Sequence, residues 1–246
     1  MRNRPNYCDG RRIAMLLFAV TMMLTVAGCG SKNTAKKDSP VVTPQTWQQQ
    51  IDEVRAGRSD QVEVAAELIS DDNLTALAGL RGLRVLLLDN AMVSDAGVER
   101  LSELTSLEHL RIRGGMIGDA GLRQLAQIKS LRVLNLPQTR CTDDGLAALQ
   151  SLPTLEQLRL GSPHVTDAGV AALKDFPALR RLHFIGVPLT DGAIDALAAI
   201  PQLESFYIDD SQITDTGFER LFQSRPDLHV HVNQRHHNRD PHKHGG

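Results

Sequence analysis

The side chains best able to do chemistry in this sequence are carboxylates that recur at one fixed interval. Seven aspartates stand 24 residues apart, with no insertion or deletion between them: Asp71, Asp95, Asp119, Asp143, Asp167, Asp191 and Asp215. Carboxylates are calcium ligands, but a calcium site needs several oxygen ligands around one ion. Here they occur one per interval, without a second carboxylate at ligand spacing. The sequence therefore favours a structural role.

The neighbours of each aspartate predict the start of a short helix. The residue before it is serine or threonine in six intervals, at Ser70, Ser94, Thr142, Thr166, Thr190 and Thr214, and Gly118 takes this place once. Serine and threonine are favoured N-cap residues, and a negative charge in the first turn is stabilised by the helix dipole. Small residues follow two positions later, at Gly97, Gly121, Gly145, Gly169 and Gly217, with Asn73 and Ala193 as exceptions. We expect them to let neighbouring turns approach closely.

Histidine is concentrated at the end of the chain. Six of the nine histidines fall there: His229, His231, His236, His237, His242 and His244. Such tracts bind zinc, copper or nickel, so His229, His231, His236 and His237 are candidate metal ligands. The competing prediction is a disordered, solvated tail over residues 234–246.

The rest of the sequence contains no recognisable catalytic set. There is no nucleophile with a base and an orienting group, no glycine-rich phosphate loop after a strand, and no Cys/His pair at zinc spacing. Cys141 occupies a position that is aliphatic in the other intervals, which predicts a small buried side chain. The formal net charge of −2 gives no basic footprint for nucleic acid. We therefore expect no enzyme activity, no cofactor and no nucleic-acid partner.

Each interval is predicted to contain one strand and one short helix or 3₁₀ turn. Two apolar columns alternate with polar residues, as in a strand with one buried face. They are Val62, Leu86, Leu110, Leu134, Leu158, Leu182, Phe206 and Val230, and Val64, Leu88, Ile112, Leu136, Leu160, Phe184, Ile208 and Val232. These columns predict eight parallel strands in register over residues 59–233. Residues 46–58, with an apolar stripe at Trp47, Ile51 and Val54, predict a helix that caps the open end of the stack.

The pattern Leu155, Leu158, Leu160, Val165-Thr166-Asp167 resembles leucine-rich repeat proteins, most closely the ribonuclease-inhibitor-like and cysteine-containing subclass. The resemblance implies an α/β fold: a right-handed solenoid of 24-residue repeats. A curved parallel sheet would form its concave side and short helices its convex side. The asparagine or cysteine that often follows the strand in this family is replaced here by Ala91, Gly115, Thr139, Pro163, Val187 and Ser211. An asparagine ladder is therefore absent.

Two sets of surface positions stand out. The column that precedes the strands alternates in sign, as Asp60, Arg84, Glu108, Arg132, Glu156, Arg180 and Glu204, and predicts an ion ladder that fixes register. The outward strand positions are enriched in basic and hydrogen-bonding residues: His109, Arg111, Arg113, Asn135, Arg159, Arg181, His183 and Tyr207. Arginine and tyrosine are typical interface anchors, so these residues are the candidate partner-binding site. The alternative is ordinary surface polarity.

The first residues predict a targeting segment rather than part of the fold. A cationic start is followed by an apolar run from Ile13 to Val26, and Val26-Ala27-Gly28-Cys29 resembles the lipobox of bacterial lipoproteins. The resemblance implies that residues 1–28 are a signal peptide and that Cys29 carries diacylglycerol and a further acyl chain such as palmitate. Residues 29–45 would be a flexible tether. The alternative is an ordinary signal peptide with a chance cysteine.

Three functions are consistent with these features. The first is a monomeric, membrane-anchored recognition module that binds a protein or an acidic envelope polymer through its concave face. It would lie in the cell envelope, at the outer membrane if the cell is Gram-negative, and face the periplasm or the exterior. The second is an envelope metal-binding protein that uses the His-rich tail. The third, suggested by the F-box members of the family, is a substrate receptor.

Overall fold

The structure is a computed structural model that describes residues 45–236, without the side chain of His236. The predicted signal peptide (1–28), the lipidated Cys29, all but the last residue of the tether (29–45), and His237 with the tail after it lie outside the described residues.

The first helix, α1 (Trp47–Arg55), covers the edge of the first strand. Thr46 caps it through a reciprocal capping box with Gln49, and Trp47, Ile51 and Val54 are its buried residues, as the apolar stripe predicts. The side chain of Gln50 donates to the carbonyl of Glu63 at 2.8 Å and accepts from its N–H at 2.7 Å. These two bonds take the place of a neighbouring strand, so α1 closes this edge of the sheet.

The principal sheet has nine strands, of which the first eight are parallel and follow each other in repeat order. These eight are β1 (Gln61–Val64), β3 (Val85–Leu88), β5 (His109–Ile112), β6 (Val133–Leu136), β7 (Gln157–Gly161), β8 (Arg181–Ile185), β9 (Ser205–Asp209) and β10 (His229–Val232). Leu110, Leu134 and Leu158 pair in register and are almost fully buried. The predicted hydrophobic spine is therefore confirmed. We call the outward-facing side of these eight strands the concave face.

Two shorter strands, β2 (Ile69–Ser70) and β4 (Ala91–Met92), form a second parallel pair beside the main sheet. The ninth strand of the main sheet, β11 (Arg235–His236), runs antiparallel to β10. The prediction that residues 234–246 are disordered is therefore wrong at Arg235 and His236. Asn233 and Gln234 both have positive φ, at 49° and 62°, which gives a tight hairpin turn. The hairpin covers the edge that the last parallel strand would otherwise expose.

Short helical segments return the chain from each strand to the next, as predicted. The α-helices are α2 (Asp95–Glu99), α3 (Asp119–Leu125), α4 (Asp143–Ala148), α5 (Asp167–Val170), α6 (Ile194–Ala198) and α7 (Asp215–Ser224). The 3₁₀ segments are Asn73–Leu77, Leu149–Ser151, Ala171–Asp175 and Asp191–Ala193. Cys141 is fully buried among the apolar side chains, and burial raises the pKa of its thiol. This agrees with its predicted packing role.

The periodic aspartates join each repeat to the next one. In five of the six steps between repeats the carboxylate accepts from the backbone N–H of the following repeat's N-cap residue at 2.7–2.8 Å, and from its hydroxyl at 2.5–2.8 Å. The pairs are Asp71 with Ser94, Asp119 with Thr142, Asp143 with Thr166, Asp167 with Thr190, and Asp191 with Thr214. Asp95 instead accepts from the N–H groups of Gly118 and Gly121. The sequence interpretation placed each carboxylate at its own helix end and missed this partner in the next repeat.

The glycine two positions after each aspartate makes room for the preceding repeat's carboxylate. A Cβ atom at Gly97 would lie 2.0 Å from Asp71 Oδ1, and one at Gly169 would lie 2.2 Å from Asp143 Oδ1. The first repeat has no aspartate before it, so Asn73 is tolerated there. Its Oδ1 accepts from the N–H and the hydroxyl of Ser70 at 2.8 and 2.9 Å. In the first repeat, Asn73 thus provides the acceptor for the N–H and the hydroxyl of Ser70 that the preceding repeat's aspartate provides elsewhere.

Candidate functional site

The register of the sheet brings four of the predicted binding residues side by side. Asn135 pairs with Arg159, Arg159 with His183, and His183 with Tyr207, on the successive strands β6 to β9. Neighbouring strands lie roughly 4.8 Å apart, so these four side chains form one continuous row. Arg181 lies beside the row, two residues before His183 on β8.

The structure neutralises part of the predicted basic surface. Arg111 Nε lies 2.7 Å from Asp89 Oδ1, and Arg111 Nη2 lies 2.8 Å from Asp89 Oδ2 and 3.3 Å from Glu63 Oε1. The first contact is poorly aligned for a hydrogen bond, but at this distance the ion pair still compensates both buried atoms. Arg113 shares Asp89 at 3.4 Å. Arg111 and Arg113 are therefore already paired within the protein.

The two histidines of the surface add little positive charge at neutral pH. His183 Nε2 lies 3.0 Å from Asp209 Oδ2. Burial lowers the pKa of His183, Arg159 lowers it further, and the bond to Asp209 only partly opposes this effect. Burial also lowers the pKa of His109, helped by Arg111. Both rings are thus neutral near pH 7.

Arg159 and Arg181 differ from the other arginines of the candidate site. Within residues 45–236 neither guanidinium has a carboxylate at ion-pair distance. Arg159 is partly buried, and its pKa is lowered first by burial and then by the charges of Arg113 and Arg111, against the opposing charge of Asp209. Arg159 Nε and Asn135 Oδ1 are buried and have no hydrogen-bond partner among the described residues.

These side chains surround an open hollow of about 220 Å³ on the concave face. It is lined by the buried Leu134, Leu158 and Leu182 and by seven outward-facing residues: Val133, Asn135, Gln157, Arg159, Arg181, His183 and Tyr207. Five of these belong to the predicted binding set. Val133 and Gln157 do not, although they occupy the strand positions beside Asn135 and Arg159 and could have been found by tracing the adjacent column. His109, Arg111 and Arg113 lie outside the lining of this hollow.

Tyr207 also forms the edge of an aromatic cluster at the end of the sheet. Its ring stacks on His231 at 4.4 Å between centroids, and His231 Nε2 lies 2.6 Å from His229 Nε2. Residues 45–236 contain no group of three metal-ligating side chains. The structure thus brings the candidate ligands His229 and His231 together. The side chain of His236 and the whole of His237 lie outside the described residues.

The flanking ion ladder forms in separate segments. Direct ion pairs join Asp60 to Arg84, Arg84 to Glu108, Arg132 to Glu156 and Arg180 to Glu204. The steps from Glu108 to Arg132 and from Glu156 to Arg180 have no direct ion pair in the described part of the chain. The alternation of sign is thus present, but among the described residues only Arg84 forms ion pairs with both neighbours.

One exposed apolar column escaped the sequence interpretation. Leu68, Met92 and Met116 occupy the same position in successive repeats and are 49%, 65% and 57% exposed. Their 24-residue spacing could have revealed them.

In the described part of the chain, no helix combines the length and the apolar character that crossing a bilayer requires.

Comparison with known proteins supports the repeat architecture. A family model described as a leucine-rich repeat matches residues 103–126. No curated protein matches the sequence. An internalin from Listeria monocytogenes is structurally similar, with a TM-score of 0.57 and 19% identity over 79% of this chain and 62% of that one. A leucine-rich repeat protein from Leptospira interrogans has a TM-score of 0.50 and 15% identity, over 73% of this chain and 50% of that one.

The chain thus spans less than two thirds of either solved structure, and at these identities the likeness concerns the fold. Eight parallel strands in register, a helical return in each 24-residue unit and the matched repeat at residues 103–126 agree with one another. The protein therefore has the leucine-rich repeat fold.

Proposed function

We propose that this protein is a non-enzymatic recognition module that binds a partner protein through its concave face. The observation that carries the proposal is the hollow around Arg159, where this cation has no carboxylate at ion-pair distance and where its buried Nε and the buried Oδ1 of Asn135 have no hydrogen-bond partner among the described residues. Such groups are costly to leave unsatisfied, and arginine and tyrosine are frequent anchors of interfaces. Leucine-rich repeat domains generally bind proteins, which agrees with this assignment.

A photo-crosslinking residue at Gln157, in the hollow, tests the proposal in native cells. A matched probe at Arg123, an exposed residue of α3 on the opposite side of the repeats, serves as the control. We expect discrete protein adducts from position 157 that are lost when Arg159→Glu is added, and none of these adducts from position 123. Equal adducts from both positions, or adducts insensitive to Arg159→Glu, would reject the concave face as the binding surface.

The proposal includes attachment to a membrane of the cell envelope through Cys29. It rests on the cationic start, the apolar run and the lipobox-like Val26-Ala27-Gly28-Cys29. Acyl chains on one cysteine would anchor the domain without a spanning helix. Cys29→Ser should abolish incorporation of labelled palmitate and release the protein from membranes, whereas Cys8→Ser should do neither. Retention of label in the Cys29 variant would contradict the anchor.

A second candidate function is metal binding at the end of the chain. The observation that favours it is the close approach of the His229 and His231 Nε2 atoms, at 2.6 Å. Calorimetry with Zn²⁺ should show saturable binding that is lost in a His229→Ala, His231→Ala double variant. If the double variant binds Zn²⁺ normally while a chain truncated after Asn233 does not, the tail rather than this pair holds the metal.

A further inference from the structure

We infer that the hollow around Arg159 is a subsite for one carboxylate side chain of a bound peptide, an aspartate or a glutamate flanked by uncharged residues. The inference rests on the proposed function, because it names the chemistry by which the concave face would recognise its partner. It is carried by the distribution of charge on this face and by the two unpaired polar atoms in the hollow.

The charges around the hollow leave one positive charge to be neutralised. Three carboxylates, Glu63, Asp89 and Asp209, are present on this part of the concave face together with four arginines, Arg111, Arg113, Arg159 and Arg181. Arg111 and Arg113 are already held by Asp89 and Glu63. His183, which is neutral near pH 7, bonds to Asp209, and the negative charge of Asp209 offsets one of the two remaining arginines. A single anionic group at Arg159 would balance the surface.

The two unpaired atoms require a ligand that offers both a hydrogen-bond acceptor and a hydrogen-bond donor, in addition to a negative charge. Arg159 Nε needs an acceptor and Asn135 Oδ1 needs a donor, and these two residues are direct neighbours across β6 and β7. A carboxylate can satisfy the guanidinium, often with two parallel bonds. Asn135 would then receive an N–H group close to that carboxylate, which the backbone of an aspartate- or glutamate-containing peptide provides. An unprotonated phosphate or sulfate supplies acceptors only.

The surroundings favour a peptide over a polyanionic polysaccharide. A polymer with one charge on each sugar would place further anions where no unpaired cation remains, against the ion-paired Asp89 and Glu63 and against Asp209. Like charges so placed oppose binding. Val133 and Tyr207 instead offer apolar and aromatic surface at the rim of the hollow, which suits uncharged residues beside the acidic one.

The test is an NMR titration of the arginine Nε–Hε signals of the full-length protein in detergent micelles. The probes are the N-acetyl, N-methylamide derivatives of aspartate and glutamate, with those of asparagine and glutamine as neutral controls and oligogalacturonate as the anionic polymer. Arg159→Lys removes one signal and thereby assigns it. We expect a saturable shift of the Arg159 signal with the acidic probes and no such shift with the neutral ones.

Two variants sharpen the result. Asn135→Asp adds a carboxylate beside the bound one and should weaken binding of the acidic probes by at least about 10-fold through like-charge repulsion. Arg180→Gln, which removes an arginine of the flanking ladder on the same repeat, should leave the affinity unchanged. A missing Arg159 response, an equal response to the neutral probes, or tighter binding of oligogalacturonate than of the acidic peptides would overturn the inference.

The two proposals fail in different ways. Crosslinks from position 157 without any response of Arg159 to carboxylates would retain the concave face as a binding surface and reject the subsite. A specific response of Arg159 without crosslinks in cells would retain the subsite and reject the proposed partner.

Discussion

Within a repeat, the aspartate and the glycine two residues after it take part in the same kind of contact, in which the carboxylate of one repeat packs against the helix start of the next. The aspartate makes this contact to the following repeat, and the glycine receives it from the preceding repeat. Asn73 shows that the two are linked, because the first repeat has no carboxylate to admit and has lost its glycine. At the other exception, Ala193, the segment Asp191–Ala193 forms a 3₁₀ turn.

Gly169→Ala should destabilise the protein by about 1–3 kcal/mol, because its Cβ would lie 2.2 Å from Asp143 Oδ1 and force that carboxylate to move. Alanine is otherwise the better helix former by about 1 kcal/mol, so a loss must come from the clash. Urea unfolding measures the change. Gly82→Ala, which has open space around it, is the control and should be nearly neutral. If the clash is the cause, Asp143→Ala combined with Gly169→Ala should cost less than the sum of the two single changes.

Asp191 should make unfolding sensitive to acid. Hydrogen bonds from the hydroxyl and the N–H of Thr214 hold the pKa of its carboxyl below the ordinary value. A group with a depressed pKa in the folded state stabilises the fold above its unfolded pKa, and this contribution is lost as the pH falls through the folded pKa. Asp191→Asn should therefore lose stability at pH 7 but little at about pH 2, where the carboxylate is protonated in both states. Urea midpoints at the two pH values test this, and an equal loss at both would contradict it.

At the scale of elements, the sequence predicts the structure at the first edge of the sheet but not at the last. Helix α1 can be predicted from Thr46, Gln49 and an apolar stripe, because these are local signals of a capped amphipathic helix. Strand β11 has only two residues, and it forms because Asn233 and Gln234 adopt positive φ and turn the chain back antiparallel to β10. This turn is not visible in a polar, His-rich tail, which on composition alone is typical of disorder.

Gln50→Ala should weaken the closed end of the sheet by about 1 kcal/mol, since the side chain makes two hydrogen bonds to the backbone of Glu63 at a solvent-accessible edge. Gln48→Ala is the matched control, because among residues 45–236 the Gln48 side chain bonds to Asp52 on its own helix and not to the sheet. Hydrogen exchange should report faster exchange of the Glu63 amide in the Gln50 variant alone. Unchanged protection of that amide would show that α1 does not close the edge through Gln50.

At the scale of the whole molecule, the fold followed from periodicity while the site did not. The 24-residue columns predict the sheet, its register and the burial of Leu110, Leu134 and Leu158 without any knowledge of contacts. The basic surface came from the same columns, but its charge is decided by diagonal neighbours such as Asp89, directly after β3, and Arg111 on β5. Which charges form ion pairs depends on how far each side chain extends and how deeply it is buried. The residue types of a column give neither quantity.

Two deletions distinguish the 24-residue period of the apolar core from the 48-residue period of the alternating charges. Removing residues 130–153 deletes one unit and keeps the apolar columns in phase, but it places Glu108 beside Glu156 and Arg111 beside Arg159. Removing residues 130–177 deletes two units and restores opposite charges, with Glu108 beside Arg180. Both chains should fold, because each repeat contacts mainly its neighbours. Only the one-unit deletion should gain thermal stability when NaCl is raised to about 1 M, where charges are screened beyond roughly 3 Å. A similar response of the two chains to salt would mean that the alternating column does not help to set the order of the repeats.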